Sequence, residues 1–128
     1  MARSTAYDKH PDHTLVFDDT PAGLRVRVGE AVVAETRRGL LLREGKYPPV
    51  VYVPRDDCAM ELLGAVDHTT HCPFKGDANY FDFVGDGSAA ARVEQIAWSY
   101  EDPFDQMESL RDHLAFYPDR TTLEPLDG

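Results

Sequence analysis

Within the stretch Thr69-Thr70-His71-Cys72-Pro73-Phe74-Lys75-Gly76-Asp77-Ala78-Asn79-Tyr80, the chain places a thiol, an imidazole, an ammonium and several hydroxyls close together. A lysine or a protonated histidine beside a cysteine lowers the thiol pKa and raises the thiolate fraction, the condition for a nucleophilic or redox cysteine. Cys72 and Lys75 are therefore the candidate catalytic residues, with His71 as an alternative cation and Asp57 as a group that orients a partner. The competing reading is structural: a free cysteine before a proline is often a small buried hydrophobe, and Lys75-Gly76 often a plain turn. Cys58, His68, His71 and Cys72 together offer the four nitrogen and sulfur ligands of a tetrahedral zinc site. Their spacing argues against it, because adjacent side chains at 71 and 72 diverge and no CxxC pair exists, so no metal and no cofactor are expected.

The scarce basic residues Arg37, Arg38, Arg43, Lys46, Arg55 and Lys75 concentrate in the centre of the sequence. Brought side by side, Arg55 and Lys75 would make an anion site, since arginine grips a carboxylate or phosphate with two parallel hydrogen bonds. The plainer alternative is surface pairing with Glu35, Glu44 and Asp57. Trp98, Tyr100, Tyr52, Tyr80, Phe81 and Phe83 either fill the core or wall a pocket. The phenylalanines fit the core better, while tyrosine hydroxyls need partners when buried. Arg55, Asp57, Lys75, Tyr80 and Trp98 are accordingly the candidate ligand-binding residues, for a small polar or anionic metabolite. No Ser-His-Asp order, nucleophile elbow or Walker loop is present, which removes the commonest hydrolase and triphosphatase chemistries.

Holding these residues in place requires elements that the patterning predicts to be mostly strands. Leu24 to Val28 alternates apolar and polar, Gly29-Glu30 offers a tight turn, and Ala31 to Ala34 follows, which predicts a hairpin. Leu40 to Leu42 and Val50 to Val53 are further short apolar runs, the second boxed by Pro48-Pro49 and Pro54. Asp56 and Asp57 can cap a short helix carrying Ala59, Met60, Leu62 and Leu63 up to Gly64. The segment from Thr69 reads as a functional loop leading into an aromatic strand from Ala78 to Val84. A turn at Gly85 to Ser88 then precedes a strand from Val93 to Tyr100, with Ile96, Trp98 and Tyr100 on one side by period two. Asp105 with Glu108 fits a capping box opening a second short helix through Met107, Leu110 and Leu114. The ends, an arm over 1–13 and a tail over 121–128, read as unstructured, leaving an ordered core of about 14–120 in a single domain spanning 1–128.

A chain of 128 residues is one ordinary domain, and 42% hydrophobic with 28% charged residues excludes disordered and fibrous classes. Thirteen basic against twenty-three acidic residues give a net charge of −10, which repels phosphate backbones, so no nucleic-acid partner is expected. No apolar run approaches the roughly 18 residues of a membrane span, and Met1-Ala2-Arg3-Ser4-Thr5 lacks a signal-peptide core. No membrane partner and a cytoplasmic location are expected, with Cys58 and Cys72 as free thiols. Many short strands with frequent turns predict a mainly β sandwich or barrel-like fold carrying two short helices.

Several blocks in order carry a family resemblance: Arg38-Gly39-Leu40-Leu41-Leu42-Arg43-Glu44, Pro49 to Asp57, Thr70 to Tyr80, Ala97-Trp98-Ser99-Tyr100-Glu101-Asp102-Pro103, and Ala115-Phe116-Tyr117. Over about residues 25 to 120 the chain resembles the bacterial and fungal domain-of-unknown-function family numbered four-two-seven, sometimes labelled a nucleotidyltransferase. The resemblance implies a compact, mainly β, β-tent-like fold, shared with an exchange-factor-type chaperone, B-type methionine sulfoxide reductases and the thalidomide-binding domain. Relatives in that wider group hold zinc between two CxxC pairs that this chain lacks, so the resemblance implies no metal here. Cys58 stands where the family pattern has a β-branched apolar residue, which makes it a packing substitute. The transferase label implies a Gly-Ser pair followed by an Asp-x-Asp clamp for magnesium; Gly87-Ser88 is present and the clamp is not.

Three functions follow. The leading one is binding of a small polar or anionic molecule in a cleft formed by the Thr70-to-Gly76 loop and neighbouring strands. Its rivals are a cysteine-dependent enzyme acting through Cys72, and an interaction module that uses exposed tyrosines and an acidic face.

Overall fold

A computed structural model of the chain describes residues 2–126; Met1 of the expected arm and Asp127 and Gly128 of the expected tail lie outside the described residues. Nine strands form one antiparallel system: β1 (Leu15–Phe17), β2 (Ala22–Val28), β3 (Ala31–Glu44), β4 (Val50–Pro54), β5 (Leu63–Cys72), β6 (Gly76–Phe83), β7 (Val93–Ser99), β8 (His113–Phe116) and β9 (Thr122–Leu126). The order is β5-β6-β7-β8-β4-β3-β2-β9, with β1 paired to β3. The mainly β expectation therefore holds. Among the described residues no helix is long and apolar enough to cross a membrane.

The alternation read at 24–28 becomes the β2–β3 hairpin, in which Val26 and Val33 are fully buried. The two apolar runs at 31–34 and 40–42 belong to one strand of 14 residues. Its polar middle stays extended because β2 pairs with it, Leu24 opposite Thr36 and Arg25 opposite Glu35, with the Arg25–Glu35 ion pair closing at 2.6 Å. The long strand then passes from β2 to β4, where Leu40 faces Tyr52 and Leu42 faces Val50. It thereby touches two hydrophobic clusters. One is purely apolar, around Val26, Val33, Val53, Ile96, Leu114 and Phe116. The other mixes Leu42, Met107 and Leu110 with Tyr52 and Tyr100.

Four expectations are corrected. Residues 55–62 form no continuous α-helix but two short 3-10 helices, Arg55–Asp57 and Met60–Leu62, followed at once by β5. A single turn of apolar spacing cannot pay the cost of helix nucleation, whereas Ala59 donates its N–H to the Val33 carbonyl at 2.8 Å and Leu63 pairs with Phe83. The Thr69–Tyr80 segment is not a loop: β5 and β6 form a hairpin whose last pair is Cys72 with Gly76, so only residues 73–75 turn. Around Asp105 a short 3-10 stretch, Asp105–Leu110, replaces the capped helix, and Leu114 belongs to β8. Asp112, at φ 60°, ends the curl and lets β8 insert between β4 and β7.

The fourth correction concerns the chain ends. Ala6–Lys9 form a short helix, α1, and Ser4 is buried. The Ser4 hydroxyl donates to the Pro73 carbonyl and the Tyr7 hydroxyl to the Phe74 carbonyl at 2.7 Å, which ties the arm to the β5–β6 turn. At the other end β9 pairs with β2, and Gly23 makes this approach possible: a Cβ there would stand 2.5 Å from the Leu126 carbonyl oxygen.

Candidate functional site

The β5–β6 turn delivers its lysine inward. Gly76 takes φ +122°, a conformation that side-chain-bearing residues rarely adopt, and the Lys75 carbonyl is fixed by the Phe104 N–H at 2.9 Å. Lys75 is left only 8% exposed, with its ammonium 6.0 Å from the Tyr100 ring centre and ion-paired to Glu44 Oε1 at the end of β3. The second carboxylate oxygen of Glu44 lies 2.8 Å from His13 Nε2. His13 is held in turn by β1, whose Leu15 pairs with Glu44, and by its stack on Phe74 with ring centres 4.2 Å apart. Burial pushes the Glu44 carboxyl up, but the hydrogen bonds from Lys75 and His13 outweigh it and hold the group below the usual carboxylate range.

Beside this ion pair opens a cavity of about 170 Å³, walled by Tyr52, Tyr80, Trp98, Tyr100 and Tyr117 and rimmed by Tyr47 and Pro48. Strand register builds the walls: Tyr80 stands opposite Trp98, and Trp98 opposite Ala115, whose small side chain leaves room for the indole. The Trp98 indole N–H donates to the Tyr52 hydroxyl at 3.4 Å, and its ring lies 4.5 Å from Tyr117. Tyr80 shares a 2.7 Å hydrogen bond with Thr70 across the hairpin. Burial raises the pKa of the Tyr52 and Tyr100 phenols well above the ordinary value, so these walls carry no charge at neutral pH.

Of the candidate residues, Lys75, Tyr80 and Trp98 meet in this cavity. Arg55 does not line it; its guanidinium covers the Phe81 ring at 5.6 Å. Asp57 is also elsewhere, accepting hydrogen bonds from Thr36 Oγ at 2.7 Å and from Arg38 at 3.1 Å. Cys72 is half-buried against the tyrosine-containing cluster. The two cations considered for activating it are engaged elsewhere, His71 with Asp77 at 2.7 Å and Lys75 with Glu44. Cys58 packs against the apolar cluster, and burial pushes its thiol up to about 12. Gly87-Ser88 lies in the turn between β6 and β7, where the Ser88 N–H is held by Asp86 at 2.9 Å. Among the described residues no three His, Cys, Asp or Glu side chains gather as metal ligands.

Sequence reading missed Glu44 as a site residue, together with Tyr117 and His13. One signal was available: Leu40, Leu42 and Glu44 follow period two, which puts a carboxylate on the apolar face of a strand. His13 and Tyr117 carried no comparable mark.

An antiparallel β domain with a small aromatic-walled cleft over a buried ion pair is thus the class of molecule that fold and site define. The family model described as Domain of unknown function (DUF427) matches residues 17–125, and the chain belongs to that family, as the sequence blocks implied. No curated protein matches it.

Proposed function

We propose that this protein binds a small polar molecule in the cleft, with its flat face on the aromatic walls and its head group on the Lys75–Glu44 pair. The observation that carries the reading is a charged pair retained, largely out of water, in the wall of an aromatic cavity. Such a pair is weak support for stability, because desolvation offsets its attraction. As recognition chemistry it is apt. An ammonium has three donors and a carboxylate about four lone-pair sites, and the contacts to each other and to His13 leave several of these unused. Donor and acceptor side by side suit a carboxamide-like edge, whose carbonyl accepts from Lys75 while its N–H donates to Glu44. A simple anion is matched less well, since it must compete with Glu44 for the ammonium.

Trp98 is the only tryptophan of the chain and sits in the cavity wall, so its fluorescence reports on the site. Titration with benzamide is expected to change Trp98 emission saturably, and Lys75→Met to weaken that binding at least tenfold. Benzoate binding tighter than benzamide would replace the carboxamide head by an anion. Absence of a saturable response to benzamide, benzoate and benzamidine alike would overturn the cleft as a ligand site.

A further inference from the structure

The geometry points to a second binding site, for a small aromatic phosphate, in the pocket between the N-terminal arm and the β5–β6 turn. It is independent of the cleft, with which it shares no lining residue. The pocket has a volume of about 430 Å³, within the range of small-ligand sites. Residues 3–10 supply one side of its lining, and His71, Phe74 and Phe104 stand on the other. Hydrogen bonds fasten the arm to the body of the domain. The Ser4 hydroxyl donates to the Pro73 carbonyl, and the Ser4 N–H and carbonyl are both taken by the Gln106 carboxamide, each at 2.9 Å. A site held in this way before its ligand arrives has less ordering left to lose on binding.

Charge selects the ligand. Acidic residues outnumber basic ones by 23 to 13 in the chain, yet no carboxylate lines this pocket, whereas Arg3, Lys9, His10 and His71 do. Two fixed positive charges, on Arg3 and Lys9, match a phosphate monoester, whose charge at neutral pH is about −1.5 to −2. Arg3 meets Asp8 at 3.0 Å and His71 meets Asp77 at 2.7 Å, but all four side chains are more than half exposed. Such pairs are weak, and a dianion can join or replace them. The Arg3 guanidinium also has five donors, of which Asp8 occupies two. Phe74 and Phe104 add apolar surface on which an aromatic ring gains by burial. Inorganic phosphate would leave these rings uncovered, and a neutral aromatic molecule would make no use of Arg3 and Lys9. A phosphate carried on a ring uses both.

The test is isothermal titration calorimetry with phenyl phosphate, inorganic phosphate and phenol, on the wild type and on Arg3→Gln, Lys9→Gln and Lys46→Gln. Lys46 lines neither cavity and controls for net charge. Phenyl phosphate should bind the wild type, with Arg3→Gln and Lys9→Gln each weakening it about fivefold through loss of one charge-assisted contact, and Lys46→Gln leaving it unchanged. Inorganic phosphate and phenol should each bind the wild type at least about tenfold more weakly than phenyl phosphate. Circular dichroism checks that the variants keep the fold. Equal phenyl phosphate affinity in the wild type and the two pocket variants would put the anion elsewhere and overturn the site. An equal loss in Lys46→Gln would reduce the effect to net charge and overturn it too. Inorganic phosphate binding as tightly as phenyl phosphate would overturn the aromatic part, and no binding of either would overturn the whole.

Discussion

Two ion pairs are anchored on the same long strand and have different characters. Arg38 and Asp57 meet with side chains 62% and 24% exposed, whereas Lys75 and Glu44 meet with side chains 11% and 20% exposed. The chemistry is nearly the same in both, a cation and a carboxylate brought together by strand β3. The first pair spans two segments at the surface, where water and salt screen it. The second is covered by the N-terminal arm, the β5–β6 turn and the Tyr100 ring. Charge clustering in a sequence therefore says where ions are, and packing decides which of them are held out of water.

The sharpest way to break this comparison is Glu44→Gln. It leaves the Lys75 ammonium buried without its carboxylate, and the expected cost is about 3 kcal/mol, the lower end for an orphaned buried charge because this pair is not fully dry. Urea unfolding of wild type and variant measures it. A loss no larger than that of an exposed pair would make the two regions equivalent.

Acid offers a second, smaller handle. The folded-state pKa of Glu44 lies below its ordinary value of 4.5. Its contribution is therefore complete above that value and disappears as pH falls through the folded pKa. The difference in Tm between wild type and Glu44→Gln should hold from pH 7 to about pH 5 and narrow on further acidification. A constant difference down to pH 3 would show that Glu44 is not held ionised by Lys75 and His13.

The smallest effect is expected at the exposed pair. Arg38→Ala should leave stability almost unchanged, as loss of an exposed pair generally does, and should leave benzamide binding to the cleft unaltered. Calorimetric melting together with Trp98 titration checks both. A larger loss would mean that the surface pair supports the site.

Much of the fold could be read locally, because hairpin partners are neighbours in sequence and their alternation is visible before folding. The β2–β3 turn, the proline-bounded β4 and the turn at Gly85–Ser88 are of this kind. The edge strand β5 was not, since its outer half, Asp67 to His71, is polar and exposed and has no apolar period to detect. The clamped arm escaped for a related reason: its anchors are hydrogen bonds from Ser4 and Tyr7 to carbonyls, which no hydrophobic pattern announces.

For the site, sequence alone determined the inventory: a lysine, a tyrosine and a tryptophan in segments that strand pairing would bring near one another. Tertiary structure decided which members of that inventory act together. Glu44 reaches Lys75 across 31 residues, and His13 reaches Glu44 across the same span, so neither contact leaves a local trace. Strand geometry also separated His71 from Cys72, sending the imidazole out to Asp77 and the thiol toward the tyrosine-containing cluster. Whether a charged side chain is solvated or buried depends on everything packed around it, and that is a property of the assembled chain rather than of any segment.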